Sequence, residues 1–232
     1  MGLDVTMRHW WGQSAGDRGR SPLLALAMAA VVCCFAAVPL RAAELKEPTI
    51  QAFDAYVRAA ESGMNSGLRS GNCLWVDTLP AAERTDAYSR LRKGEILVKP
   101  RAAGLQVQDG MIHDWVAVAF IPGATIDTVL ATLQNYNSAQ NVYAPELVRS
   151  KILSHANDHF RVFLRFHQHS LTSVVLDVVE EVQYTRLDAR HAYSRSQSIR
   201  ITDVINPGTP KEYEDSPGRG RGYLWRMNNY GC

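Results

Sequence analysis

Four strand-like runs follow one another between residues 147 and 205, and they constrain the fold more than any other stretch. LVRSKILSH, HFRVFLRFHQHSL, SVVLDVVEEVQYTRL and HAYSRSQSIRITDV are rich in β-branched and aromatic residues. Asn157-Asp158 separates the first from the second, and Asp188-Ala189-Arg190 separates the third from the fourth, as turns require. This order predicts an antiparallel meander. Upstream, the apolar run HDWVAVAFIPG from His113 closes at Pro122-Gly123 and reads as another strand. Between them, Ile126, Val129, Leu130 and Leu133 share one helical side behind Thr125 as N-cap. Asn135-Tyr136-Asn137-Ser138 interrupts that pattern, so two short helices are expected rather than one. A strand, a helical insertion and a meander together predict an α+β fold, an antiparallel sheet with inserted short helices.

The N-terminal part reads differently. Arg8, Arg18 and Arg20, an apolar run from Leu23 to Leu40 and Ala42-Ala43 before Glu44 have the order of a signal peptide over residues 1–43. Arg41 disturbs the cleavage pattern, and the apolar run approaches the ~18 residues of a membrane span. A retained anchor therefore stays open beside a cleaved leader. The expected location is periplasmic or secreted, or else N-terminally membrane-anchored, with membrane contact open through this segment. Four of the 25 Lys and Arg and two of the 23 Asp and Glu precede Glu44, which leaves the remainder formally neutral. A neutral body lacks the clustered positive field that nucleic-acid binding needs. Cys73 and Cys232 could pair after export.

Residues 44–110 are expected to form a helical extension packed on a main domain of residues 111–232. PTIQAFDAYVRAAES places Ile50, Phe53, Tyr56 and Val57 on one helical face, with Pro48 near its start and Gly63 after its end. GMNSGLRSGN reads as a loop, and LPAAERTDAYSRLRKGE as a second helix ended by Gly94. EILVKP and GLQVQDGMIHDW read as strands divided by Pro100 and Gly104. A Pro- and Gly-rich loop from Asn206 leads to GYLWRMNNY, a last strand on which Tyr223, Trp225 and Met227 alternate against Leu224 and Arg226.

HDWVAVAFIPG, NYNSAQNVYAPELVRSKIL, YSRSQSIRITDV and GRGYLWRMNNY resemble bacterial exported proteins of the START-like superfamily, also called SRPBCC or helix-grip, over about residues 90–230. The resemblance implies a sheet gripping a long helix, with a groove for a lipid or other apolar ligand between them. Some members of the superfamily are polyketide cyclases or hydroxylase subunits. It also implies a further strand and a long C-terminal helix after the segment matching GYLWRMNNY. That helix is absent before Cys232, and the expectation is a truncated domain; a partner chain covering the open sheet, or the helix at 48–62 taking its place, are the alternatives.

Several side chains could carry chemistry. His167 and His169 alternate on one strand face with His159, and His155 precedes them. With Glu180 or Glu181 they could bind a metal, although such a pair is more ordinary on a half-exposed strand. Phe163, Arg165 and His167 share one face, which would suit an amphipathic ligand with an acidic head. Glu180-Glu181 interrupts an apolar strand, so one carboxyl must face inward, either paired with Arg195 or acting as an acid or base. Tyr143 and Trp225 complete the expected ligand-binding set. No GxSxG, HExxH or phosphate-binding loop occurs in a supporting context. The sequence calls for no cofactor, resident metal or catalytic residue. The function expected is binding of a hydrophobic or amphipathic small molecule such as a lipid, quinone or isoprenoid. A cyclase- or hydrolase-type enzyme using a buried carboxylate or histidine, and a protein-interaction module, are the alternatives.

Overall fold

A computed structural model of the chain describes residues 2–5, 43–169 and 173–232. The expected leader lies, from residue 6 to 42, outside the described residues. In chain order the elements are β1 (Gly2–Val5), β2 (Ala43–Glu44), α1 (Glu47–Arg69), α2 (Ala81–Arg92), β3 (Leu97–Val107) and β4 (Gly110–Phe120). Next come α3 (Ile126–Leu133), α4 (Ala139–Val142), β5 (Leu147–Ala156), β6 (His159–His169), β7 (Ser173–Arg186) and β8 (Ala192–Ile205). The short strands β9 (Tyr213–Glu214), β10 (Arg219–Gly220) and β11 (Asn228–Gly231) complete the chain. The fold is α+β: a strongly curled antiparallel sheet with a few helices on it.

Strand order is β3-β4-β1-β11-β8-β7-β6-β5, with β9 added on β8. The meander β5 to β8 forms as its turn residues predict, and Asn157 takes the positive φ of 52° that Asn tolerates in a tight turn. One irregularity interrupts β7–β8, where Val179 opposes Arg200 and Glu180 opposes Ser198, so Ile199 is the extra residue of a bulge. Near the other end, β1 pairs with β4 only over Ala117 to Phe120 and with β11 only at Val5–Gly231. Among the described residues, β4 from Gly110 to Val116 has no strand on that side.

Three local readings are corrected. The segment GMNSGLR is helical, because Met64 and Leu68 continue the apolar stripe of Phe53, Val57 and Ala60, and α1 ends only at Arg69. Gly71, at φ 77°, closes it with a paired motif: its N–H donates to Leu68 O at 3.2 Å, and Asn72 N–H donates to Gly67 O at 2.9 Å. Pro100 and Gly104 do not divide the next strand. They sit at bulges of β3, a strand at one end of the strand order where a missing N–H costs no ladder bond. GYLWRMNNY is not one alternating strand, since only its end forms β11. Leu224 and Met227 both pack on the core, and Ser198 N–H donates to Met227 O at 2.8 Å.

Two cores follow. On one face of β5–β8, Phe160, Val162, Leu164, Leu176, Val178 and Val182 pack beneath α3 and α4. The α3 N-terminus is fixed by a capping box between Thr125 and Thr128. On the opposite sheet face, Val76, Ala87, Leu91 and Leu97 pack on Val118 of β4 under α2. The helix α1 crosses that same face, tied to β4 by Tyr56 and to β11 by Glu61. Among the described residues, no helix is long and apolar enough to cross a membrane.

Candidate functional site

Alternation along β7 sorts the sequence-derived candidates between two sheet faces. Glu180 lies with Val178 and Val182 on the α3 face, whereas Asp177, Val179 and Gln183 face the α1 side. Phe163 opposes Val179, Arg165 opposes Asp177, His167 opposes Val175 and Arg195 opposes Gln183. All four therefore belong to the α1 side, and the sheet separates them from Glu180. Tyr143, just after α4, is 39% exposed. Trp225 is half-buried in the irregular segment before β11. The set does not converge on one groove.

Glu180 is the inward carboxyl, 4% exposed. Its Oε1 accepts from Asn229 Nδ2 at a long 3.4 Å, and the same amide donates to Ser196 Oγ at 3.0 Å. Burial among apolar side chains pushes its carboxyl up to about 7, and a hydrogen bond with Ser196 only partly offsets this. The expected pairing with Arg195 is not made: Arg195 lies on the other face and donates to Asn65 Oδ1 at 2.5 Å. Beside Glu180, the Tyr136 and Tyr184 hydroxyls share a 2.6 Å hydrogen bond, and Tyr184 also reaches Leu133 O at 3.3 Å. Burial pushes the Tyr184 hydroxyl up to about 12 and raises that of Tyr136 as well. Phe160 stands edge-on to Tyr184, with His155 stacked on it at 4.1 Å.

On the α1 side, Arg165 is fully engaged. Its Nε and Nη2 donate to the two oxygens of Asp177 at 2.7 Å each, and Nη1 donates to Glu212 Oε1 at 2.8 Å. Asp177 is 1% exposed, so this fork satisfies a buried carboxylate and pins the loop after β8 onto the sheet. The Gly208 N–H and Arg165 together hold the Glu212 carboxyl below its usual range. Arg165 thus makes structural contacts on both sides of its guanidinium. His167 Nε2 lies 2.7 Å from Ser173 Oγ. No group of three or more His, Cys, Asp or Glu side chains suited to a metal occurs among the described residues.

A cleft lies where the sequence drew no site, between α1 and the sheet over the gap separating β4 from β11. Its volume is about 440 Å³. Tyr56, Val57, Ala60 and Met64 of α1 form one wall. Asp114, Asn228 and Tyr230 form the floor. Cys73 and Cys232, joined as a disulfide with Cα atoms 5.9 Å apart, close one end beside Trp75. Lys99 Nζ lies 4.2 Å from the Trp75 ring centroid. Asp114 is 5% exposed; its Oδ2 accepts from Tyr56 OH at 2.9 Å, while among the described residues its Oδ1 has no hydrogen-bond partner. Tyr230 OH donates to Glu61 at 2.9 Å, and burial pushes that hydroxyl up to about 12. One signal for this site stood in the sequence: Ile112, Asp114, Val116 and Val118 share one parity, so an acid sits on the buried face of β4. The wall itself had no local signal, since Tyr56 and Asp114 are 58 residues apart and Glu61 and Tyr230 are 169 apart. No protein-family model, curated protein or solved structure matches this chain.

Proposed function

We propose that the chain is an exported binding protein for a hydrophobic or amphipathic small molecule, held in the cleft between α1 and the sheet. The observation that carries this reading is the cleft itself. Its volume of about 440 Å³ falls in the range of small-molecule sites, and its lining is apolar over the larger part, with Asn72, Arg101, Asp114 and Asn228 among its polar groups. Affinity would come from burial of apolar ligand surface, at roughly 25 cal/mol per Å² before ordering costs. The curled antiparallel sheet with helices inserted before its meander is compatible with a helix-grip arrangement. The Cys73–Cys232 disulfide supports export, because such bonds persist in oxidising compartments.

The full chain, purified without detergent and analysed by native mass spectrometry, should carry an apolar adduct or take up a 12-carbon amphiphile with one-to-one stoichiometry. Ala60→Trp, which fills the α1 wall, should abolish uptake. A folded protein that takes up nothing, or an Ala60→Trp variant that binds as well as its parent, would overturn this reading.

Glu180 favours a second reading, an acid–base enzyme of cyclase or hydrolase type. A carboxyl titrating at about 7 beside the Tyr136–Tyr184 pair has the proton affinity that general acid–base chemistry uses. Conversion of an added ester or polyketide-like substrate that Glu180→Gln abolishes would support it. Turnover unchanged by that substitution would exclude it.

A further inference from the structure

The cleft contains two charged side chains whose arrangement specifies more than an apolar ligand. Asp114 is nine-tenths buried, and one of its oxygens has no donor among the described residues. An acceptor buried without a partner is costly and rare, so the oxygen calls for an N–H or O–H from beyond the described residues. Across β3–β4, Asp114 opposes Ala102, and Arg101 is the residue displaced at the bulge between Pro100 and Ala102. Bulges re-aim side chains, and Arg101 lines the same cleft. Among the described residues, Arg101 forms no ion pair, with Asp114 or with any other acid. The cleft therefore offers one anionic acceptor and one cationic donor as neighbours that do not neutralise each other. Tyr56, Tyr193 and Tyr230 also line it.

We propose, resting on the binding reading above, that the ligand is a zwitterionic amphiphile whose head carries a primary ammonium beside a phosphate or carboxylate. The ammonium donates to Asp114 Oδ1, the anion meets the Arg101 guanidinium, and the chain lies along Val57, Ala60 and Met64 of α1. A quaternary ammonium has the charge but no N–H, so it leaves Oδ1 unsatisfied. An alkylamine lacks the anion, and an alkyl phosphate lacks the donor.

Calorimetric titration of the full chain with matched 12-carbon probes tests each part. Dodecylphosphoethanolamine should bind about tenfold more tightly than dodecylphosphocholine, the scale of one charge-assisted hydrogen bond. Asp114→Asn should erase that preference, and Arg101→Ala should weaken dodecylphosphoethanolamine while leaving dodecylamine unchanged. Equal binding of the ethanolamine and choline heads by the unaltered protein overturns the head-group assignment, whatever the variants do. Free O-phosphoethanolamine binding as tightly as its dodecyl ester would make the ligand a small zwitterion and overturn the amphiphile. Probes that bind without head-group preference leave the cleft reading standing; failure of every probe on a folded protein overturns both.

Discussion

Glu180→Gln should make the protein more stable in neutral and alkaline solution, and the pH at which the gain appears is set by burial. In the unfolded chain the carboxyl titrates near 4.5, and in the folded chain near 7. Below pH 4.5 both states are protonated, and burial of the neutral acid carries no ionic penalty. Between the two values the unfolded chain loses the proton while the folded chain keeps it, so stability falls as pH rises and levels off above about 7. At about 1.4 kcal/mol per unit, the fall attributable to this one group is about 3 kcal/mol. Gln keeps the volume of the protonated acid and its capacity to donate and accept, so near pH 4.5 variant and parent should differ by less than about 1 kcal/mol. By pH 8 the variant should be ahead by about 3 kcal/mol. Urea unfolding of both proteins at half-unit steps, followed by tryptophan fluorescence, gives the difference directly, and titrations common to both cancel. A difference that stays constant from pH 4.5 to 8 would refute the assignment of Glu180 as a buried neutral acid.

Cys73→Ser opens a bond that spans 159 residues, and loop-closure entropy puts its removal at about 5 kcal/mol. Its urea midpoint should fall to that of the reduced parent, and an unchanged midpoint would show that the two cysteines are not joined. Arg165→Ala strands Asp177 as a buried charge and should cost about 3–5 kcal/mol by the same assay. Replacing both as Arg165→Met with Asp177→Leu should recover most of the loss. If the single variant is as stable as the parent, the ion pair is not the anchor of the loop after β8.

Wherever local pattern and tertiary partner agreed, the elements could be read from the chain. The meander from β5 to β8 is such a case, because alternation fixes the faces and Asn157 and Asp158 supply a turn that few other residues would make. The Thr125 cap and the break at Asn135 likewise needed only neighbours within one or two helical turns. Errors arose where a distant contact outweighed local preference. Gly63, Asn65, Ser66 and Gly67 are poor helix formers, yet α1 runs through them, since Asn65 receives Arg195 and Met64 lines the cleft. Glu180 was legible by a simple rule, an acid at a position whose parity is otherwise apolar. The same rule applied to β4 singles out Asp114. It could not say what volume stood in front of either acid, because that depends on which helix crosses which face.

The strand β11 links the two acids. It is four residues long and makes few ladder bonds, so its position rests on side chains from both faces. On the α3 face Asn229 bridges Glu180 and Ser196; on the α1 face Tyr230 reaches Glu61 of α1. At one end Met227 N–H donates to Ser198 Oγ at 2.9 Å, and just beyond the other the disulfide joins Cys232 to Cys73. A short strand held this way supplies the floor of the cleft through Asn228 and Tyr230. The same strand rests against a carboxyl that changes charge near neutrality. Charging Glu180 removes a proton from the group that Asn229 donates to, strengthening that one hydrogen bond while raising the desolvation cost of the whole α3 face. The cost exceeds the gain, as the raised proton affinity requires. This short strand is therefore where stability on one face and the floor of the cleft on the other depend on the same few residues.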